Sequence, residues 1–416
     1  MGPQFQLQID DEGRLVLPDE MIARYNLLPG TQILLSEDGN GLNLRRPVTH
    51  LAKIYIEPTG YCNLACRMCL RNLFQEAQGH MDMAVYRRLI AGIKELTAPP
   101  QVFFGGFGEP LAHPKIIEMV AEARSVAQSV ELITNGTLLT PERSRQLIEA
   151  GLDVLWVSLD GATPEGYADV RLGAELPQVL QNIETFRKLR RPGHRPKPEI
   201  GVAFVAMRRN IDELPQLLSW SSRLGVSRYL VTNVLPYTED MCAEVLYHRV
   251  LHQITYVTSK WVPNLDLPRF EVSEATREAL FQALRGGQNL ILNGDNLGRA
   301  NDRCPFIVRG TTAVAWDGGL SPCLPLMHDH ESFLEPRRRR YSRRYVVGNL
   351  REHSLVDLWN MPEYVAFRQR VQEFDFSPCT VCGGCDLSEA NEEDCYGNVF
   401  PTCGGCLWAQ GIIQCP

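Results

Sequence analysis

Nine of the thirteen cysteines of this chain lie after residue 303, and three of the other four stand together as Cys62, Cys66 and Cys69 in a CxxxCxxC run. Thiols at that density serve either as disulfides or as metal ligands, and the redox compartment decides between the two. The N-terminus, Met1-Gly2-Pro3-Gln4, lacks the basic and then apolar stretches of a secretory signal. No run of eighteen apolar residues is present. The expectation is a cytoplasmic protein, outside the membrane, whose clustered cysteines bind metal. A chain of 416 residues with 44% hydrophobic and 22% charged residues has the makings of two or three globular domains. Its net charge of −7 argues against nucleic-acid binding by the molecule as a whole.

Residues 1–47 read as a small β-rich unit. Phe5, Leu7 and Ile9 alternate, Asp11-Glu12-Gly13 turns, and Leu15-Val16-Leu17 forms a second strand. A short helix through Met21 to Tyr25 follows, ended by Leu28-Pro29-Gly30, before strands at Gln32 to Leu35 and Gly41 to Leu44. This pattern resembles the swapped-hairpin fold of AbrB/MazE-type transcription-factor domains, which usually dimerise and bind DNA. Arg14, Arg24, Arg45 and Arg46 face seven acidic residues here, so homodimerisation or partner docking is favoured over DNA.

Residues 48–236 alternate strand and helix, with apolar strand cores at Ile54 to Ile56, Val102 to Phe104, Val130 to Ile133, Val154 to Leu159, Val202 to Val205 and Tyr229 to Val231. Six βα units predict an α/β fold, a partial (β/α)6 TIM-like barrel with a parallel sheet. Residues 237–303 read as a helical linker, with stretches near Cys242 to Trp261 and Val272 to Arg285, and residues 304–416 as a cysteine-rich domain of turns and little periodicity.

The triplet Cys62, Cys66 and Cys69 directly follows the first barrel strand, at the end where βα barrels place their active sites. Three thiolates hold three irons of a [4Fe–4S] cube and leave the fourth iron open to a ligand. A structural zinc site asks for four closed ligands, and no His or fourth Cys lies nearby in sequence. After the second strand comes Gly105-Gly106-Phe107-Gly108-Glu109-Pro110, whose glycines admit a close-lying ligand and whose Glu109 suits an ammonium group. Thr134-Asn135-Gly136 follows the third strand and Ser158-Leu159-Asp160-Gly161 the fourth, short polar groups suited to a ribose. Each is an ordinary turn when taken alone; all of them occupy the same end of successive strands.

In that order these motifs resemble the radical S-adenosylmethionine (SAM) superfamily. The resemblance implies that Cys62, Cys66 and Cys69 ligate the catalytic cluster and that the segment Gly105, Gly106, Gly108 and Glu109 holds the amino group of SAM. It further implies that Asn135, Ser158, Asp160 and Arg171 approach the ribose or carboxylate, although an Arg after a turn is more often a solvated charge. The implied chemistry is one-electron reduction of SAM to methionine and a 5′-deoxyadenosyl radical, which abstracts a substrate hydrogen.

Cys304, Cys323, Cys379, Cys382, Cys385, Cys395, Cys403, Cys406 and Cys415 exceed by one the eight thiolates that two fully ligated [4Fe–4S] clusters need. Two zinc ribbons are the competing reading, because thiolate sites accept either metal. The spacing from Cys304 through Gly318 to Cys323 resembles the start of the SPASM domain, the auxiliary-cluster extension of many radical SAM enzymes. The later half departs from that pattern, so sequence does not assign individual ligands. The ending Cys403 to Pro416 and the front unit most resemble radical SAM/SPASM maturases associated with tungsten-containing aldehyde ferredoxin oxidoreductases. This implies as partners that oxidoreductase or its pterin cofactor precursor, and a ferredoxin- or flavodoxin-type electron donor.

Three other readings remain in play. The first is a peptide maturase forming thioether or carbon–carbon crosslinks, disfavoured by the absence of a winged-helix front. The second is a sulfatase maturase, disfavoured by Leu324 after Cys323 where such relatives offer an acidic base. The third, an iron–sulfur redox-sensing DNA regulator, is disfavoured by the acidic front. Arg337 to Arg340 with Arg343 and Arg344 would grip phosphate or form a solvated loop, and the loop is favoured. His328, Asp329 and His330 are likewise read as a polar surface loop, and Cys242 as a buried core thiol.

Overall fold

The computed structural model describes residues 7–25, 34–38, 41–45, 47–190, 197–248, 264–267, 289–292, 295–296, 304–377, 379 and 385–416. Its centre is a nine-stranded sheet. The six predicted barrel strands are Lys53–Ile56, Gln101–Phe104, Ser129–Thr134, Val154–Ser158, Glu199–Ala206 and Val226–Asn233. They pair in parallel and in chain order. Runs such as Val102, Phe103 and Phe104 are buried throughout, as expected of parallel strands covered on both faces. The helix Met83–Glu95 turns Tyr86, Leu89, Ile90 and Ile93 inward, and its N-cap Asp82 accepts the Ala84 N–H. Helix Pro141–Glu149 is capped in the same way by Thr140, with proline at its start.

The sheet does not stop at the barrel. Helix Pro305–Arg309 ends at Gly310 in the left-handed region, and Thr311–Val314 then pairs in parallel with the first barrel strand, Thr311 opposite Lys53 and Val314 opposite Ile56. Strands Gly319–Ser321 and Gly348–Asn349 continue the sheet antiparallel. The C-terminal region is thus an extension of the barrel sheet. It also carries the hairpin His330–Glu335 with Arg338–Ser342 and the helices Leu355–Asn360 and Pro362–Glu373. The expectation of little regular structure after residue 304 is corrected for residues 304–373. It describes the described part of the last segment better, where the named element is a 3-10 turn at Asp386–Glu389.

Two buried aromatic and cationic side chains secure this extension to the chain entering the barrel. The Trp359 indole donates to the Thr49 carbonyl at 2.7 Å, and the Arg368 guanidinium donates to Val48 and Trp359 carbonyls, each at 2.7 Å, while lying over the Trp359 ring. At the end of the chain, Gln414 N–H donates to Thr232 at 2.8 Å and Ile412 accepts from Asn233 at 2.9 Å, both on the sixth barrel strand. The Lys53 ammonium and the Tyr55 hydroxyl on the first strand both donate to the Pro416 carbonyl at 2.7 Å. Residues 412–416 thereby link the first and last barrel strands.

At the front, Gln8–Ile9 pairs antiparallel with Leu15–Val16, Asp19–Tyr25 is helical, and Leu34–Asp38 pairs antiparallel with Gly41–Arg45. The predicted helix end at Leu28-Pro29-Gly30 lies outside the described residues. Where two helical stretches are predicted between barrel and extension, the described residues form a 3-10 turn at Asp240–Glu244 and a small sheet of Asn264–Leu267, Asn289–Leu292 and Asp295–Asn296. The stretch Val272 to Arg285 lies outside the described residues. No helix among the described residues is long and apolar enough to cross a membrane.

Gly310 is where the extension meets the first strand: its carbonyl accepts from Ala52 and Lys53, its φ is +68°, and a Cβ there would collide with the His50 carbonyl oxygen. Gly397 has φ +87° with open space around it. Gly397→Ala should therefore cost only left-handed strain, about 1–3 kcal/mol. Gly310→Ala should cost clearly more, and anaerobic denaturant unfolding of the two variants checks the order.

Candidate functional site

The first barrel strand runs on through Glu57 and Pro58 into Thr59, whose neighbours are pinned by Gly60 N–H to Gly79 and Met81 N–H to Pro58. This delivers the cysteine loop to the C-terminal end of the barrel. The loop is held from three sides. Ala65 and Arg67 donate backbone N–H groups to Leu172 and Val170, the Arg71 guanidinium donates to the Leu64 carbonyl at 2.6 Å, and Asn72 donates to the Cys66 carbonyl at 2.8 Å. Cys62, Cys66 and Cys69 then line one cavity of about 220 Å³, together with Gly106, Gly108, Glu109, Thr134, Asn135, Ser158, Arg171 and Tyr237.

The glycine segment forms a cradle that no other residue could supply. Gly106 has φ +122°, and a Cβ on Gly108 would meet the Thr59 carbonyl oxygen, while Glu109 N–H bonds to Tyr61 at 2.8 Å. Gly105 does not line the cavity; its N–H donates to Ile56 at 2.9 Å and fixes the junction of the two strands. Glu109 is buried and its carboxylate accepts from Leu111 N–H at 3.0 Å, the Thr134 hydroxyl at 2.7 Å and Asn135 N–H at 2.7 Å. Burial pushes its pKa up, and those three donors pull against the rise. Asn135 in turn donates to Asn63 at 3.0 Å and approaches the Cys62 sulfur at 3.9 Å.

Arg171 and Asp160 divide the roles that sequence gave them jointly. Asp160 is fully buried outside the cavity lining, accepts Val205 N–H at 2.7 Å, and bonds the Arg171 guanidinium at 2.6 Å and 2.5 Å. It positions Arg171, whose Nη1 lies 3.9 Å from the Cys66 sulfur. Arg171 thus lines the cavity and is not an open surface charge. Burial opposes its charge, but Asp160 and Cys66 outweigh burial and hold it above the ordinary guanidinium value.

The described C-terminal cysteines separate in space. Cys304, Cys323, Cys403 and Cys406 line one narrow cavity of about 70 Å³ with the buried Arg340. Cys379 lies apart, its sulfur 3.0 Å from the Ser377 hydroxyl and in electrostatic reach of Cys395. Cys385 and Cys395 are exposed, and Cys382 lies outside the described residues. Cys415 sits against the Trp408 indole N–H at 3.2 Å and near Lys53, lining a different cavity. Cys242 is a buried thiol on the short turn after the barrel. Among the described residues no three Cys, His, Asp or Glu side chains are arranged around a single metal ion. A four-iron cube asks for a wider arrangement, because each thiolate meets a different iron.

Two sequence readings of this region are corrected. The arginine run is a solvated loop only in part: Arg337, Arg339 and Arg343 are exposed, but Arg340 donates to the Ser388 carbonyl at 2.6 Å and Arg338 to the Cys379 carbonyl at 3.1 Å, binding the cysteine segment to the hairpin, and Arg344 donates to Asp317 at 2.7 Å. His328 and His330 are buried, and His328 bonds Glu57 and Glu76. Glu57 went unnoticed in the sequence. A lone carboxylate closing an apolar strand at the active end of a barrel is the signal that marks it.

The chain matches the model of the Radical SAM superfamily over residues 56–220 and that of the SPASM iron–sulfur cluster-binding domain over residues 304–386. The tungsten-containing aldehyde ferredoxin oxidoreductase cofactor-modifying protein of Pyrococcus furiosus is 30% identical to it, over 87% of this chain and 96% of the relative. A PqqA peptide cyclase of Gluconobacter oxydans is 29% identical over 46% of this chain and 50% of its own length. Among solved structures, native anSMEcpe with bound AdoMet superposes with a TM-score of 0.52 at 17% identity, covering 81% of this chain and 88% of that one. Streptococcus suis SuiB bound to S-adenosylmethionine gives 0.50 at 15% identity, covering 82% and 71%. Both structures share the fold.

Burial raises the thiols of the metal-free chain, Cys69 to about 11 and Cys304 to about 12. The folded metal-free chain then holds protons that the unfolded chain releases above about pH 9, so this stabilisation is present below pH 9 and lost as pH rises through 11 to 12. Thiolates bound to iron carry no proton. Unfolding midpoints at pH 8 and pH 10.5 should fall further for wild type than for Cys304→Ala when both are metal-free.

Proposed function

The chain belongs to the radical SAM enzymes that carry a SPASM iron–sulfur extension, and we propose that it works in maturing the tungsten cofactor of an aldehyde ferredoxin oxidoreductase. The observation that carries the enzymatic part is the convergence of three thiols, a glycine cradle, Glu109 and Arg171 in one cavity at the C-terminal ends of successive barrel strands. The similarity to the Pyrococcus furiosus cofactor-modifying protein along nearly the whole chain supports the assignment of the process.

Cys62, Cys66 and Cys69 would hold the catalytic [4Fe–4S] cluster, with no fourth thiol among the described residues lining that cavity. Bound there, the cluster and SAM would supply one-electron reduction and radical hydrogen-abstraction chemistry. The residues of the chain bind and orient. Glu109, prealigned by three donors, accepts the SAM ammonium; Asn135 and Ser158 offer hydrogen bonds to ribose hydroxyls; Arg171, locked by Asp160, meets the carboxylate. Cys304, Cys323, Cys403 and Cys406, which line one cavity, would hold one auxiliary cluster, and four of the remaining Cys379, Cys382, Cys385, Cys395 and Cys415 the other. Full ligation suits both to passing electrons from a ferredoxin- or flavodoxin-type donor. Exposed Ile9, Leu15, Val16 and Leu35 at the front leave apolar surface for a dimer or partner contact.

A second reading has one observation in its favour. A cavity of about 670 Å³ shares Tyr237 with the SAM cavity and His330 with the four-thiol cavity, and its described lining includes Glu76, Glu239, Asp329, Glu331 and Tyr341 but no Lys or Arg. Such a lining suits a peptide better than a phosphorylated pterin, which favours modification of a polypeptide.

Anaerobically reconstituted protein should hold about twelve irons per chain, and a Cys62/Cys66/Cys69 triple alanine variant about eight, with loss of dithionite-driven 5′-deoxyadenosine formation. Unchanged SAM cleavage in that variant would sink the site, and four irons with zinc would give the extension a structural role. Tungsten enzyme produced alongside the variant should stay inactive while that produced alongside wild type becomes active.

A further inference from the structure

His328 is 3% exposed and lies between two carboxylates, its Nε2 2.9 Å from Glu57 Oε2 and its Nδ1 3.0 Å from Glu76 Oε2. A carboxylate accepts and does not donate, so a ring whose two nitrogens both face carboxylates holds both protons and is an imidazolium. The rings of Phe74 and Phe107 flank it at 4.6 Å and 5.6 Å and close it off from water. The partners come from distant parts of the chain: Glu57 ends the first barrel strand, Glu76 follows the cysteine loop, and His328 belongs to the C-terminal extension, 271 residues from Glu57.

Glu57 carries this contact into the SAM cavity. Its second oxygen accepts the Phe107 N–H at 3.0 Å, and its side chain packs where a Cβ on Gly106 would stand. Phe107 lies between the two glycines of the cradle, two residues before Glu109. A Glu57 carboxylate that is 1% exposed needs a partner to hold it in one direction, and His328 supplies it.

We propose that His328 is a positioning residue: through Glu57 it holds the Gly106–Glu109 segment in its SAM-binding shape, so that docking of the C-terminal extension completes the SAM site. This rests on the reading of that cavity as the SAM site. The charged and titratable groups around His328 are Glu57 and Glu76 in contact, with Arg344 beside Glu76, and His330 and Asp329 on its own segment. The two carboxylates outweigh burial and hold the imidazole up at about 9. The bracket is therefore intact below the ordinary histidine value of 6.5 and lost as pH rises through about 9.

The test uses the cluster-loaded full chain and reads the SAM dissociation constant, from the SAM-induced change in the spectrum of the reduced catalytic cluster, beside iron content. His328→Gln should weaken SAM binding on the order of tenfold with iron content kept and with the rate at saturating SAM little changed. Adding Glu57→Gln should recover part of the loss, because the pair then buries no unmatched charge. Wild-type affinity should decline above about pH 9, and that of His328→Gln should be flat. Should His328→Gln fail to keep its clusters, Glu76→Gln, at a partly exposed position, replaces it with an expected loss of about threefold. Unchanged SAM affinity in whichever variant keeps its iron overturns the proposal. Wild type that binds no SAM at all would instead overturn the reading of the cavity.

Discussion

The parallel pairing of Thr311–Val314 with the first barrel strand is the contact on which the rest of the molecule depends. That strand leads directly into the cysteine loop, and it would otherwise present a free edge. With the pairing made, the extension is built onto the same sheet as the catalytic cavity, and the four-thiol cavity is fixed relative to the barrel by backbone hydrogen bonds. A linker could not fix it so. Buried ties at Trp359 and Arg368 brace the same junction from the outside, and residues 412–416 tie the first strand to the sixth.

Charge placement around the cavity follows from burial. Glu57, Glu109, Asp160 and Arg171 are all withdrawn from water, where an isolated charge is costly and a paired one is specific in direction. Each is satisfied by groups from other segments of the chain: Asp160 by Val205 and Arg171, Glu109 by Thr134 and Asn135, Glu57 by Phe107 and His328. The polar groups thus arrive at the cavity already oriented, with little left to reorganise when a ligand enters. Arg340 repeats the theme in the extension, a buried guanidinium beside Cys403, Cys406 and Cys379.

Much of this was legible in advance. The six strand cores stand where hydrophobic runs placed them: a parallel strand buried on both faces leaves a continuous apolar signature in the first five, and the sixth, at the sheet edge, keeps a shorter one with much of its length exposed. The triplet and the polar turns fall at one end of those strands for the same reason, because a βα repeat fixes which end each loop occupies. The readings that failed share a cause. Arg340 and His328 look like surface residues because charged side chains usually are, and only their partners, at Ser388 and Glu57, explain their burial.

Sequence by itself determined where the cysteines cluster along the chain, the order of the barrel strands and the end at which the motifs gather. These follow from local spacing, which backbone geometry converts directly into position. Tertiary structure alone decided that residues 311–314 extend the sheet, that Cys304 and Cys323 group with Cys403 and Cys406 and apart from Cys415, and that His328 reaches Glu57. Those are meetings of segments far apart along the chain, set by which surfaces pack together, and no local pattern of residues encodes them.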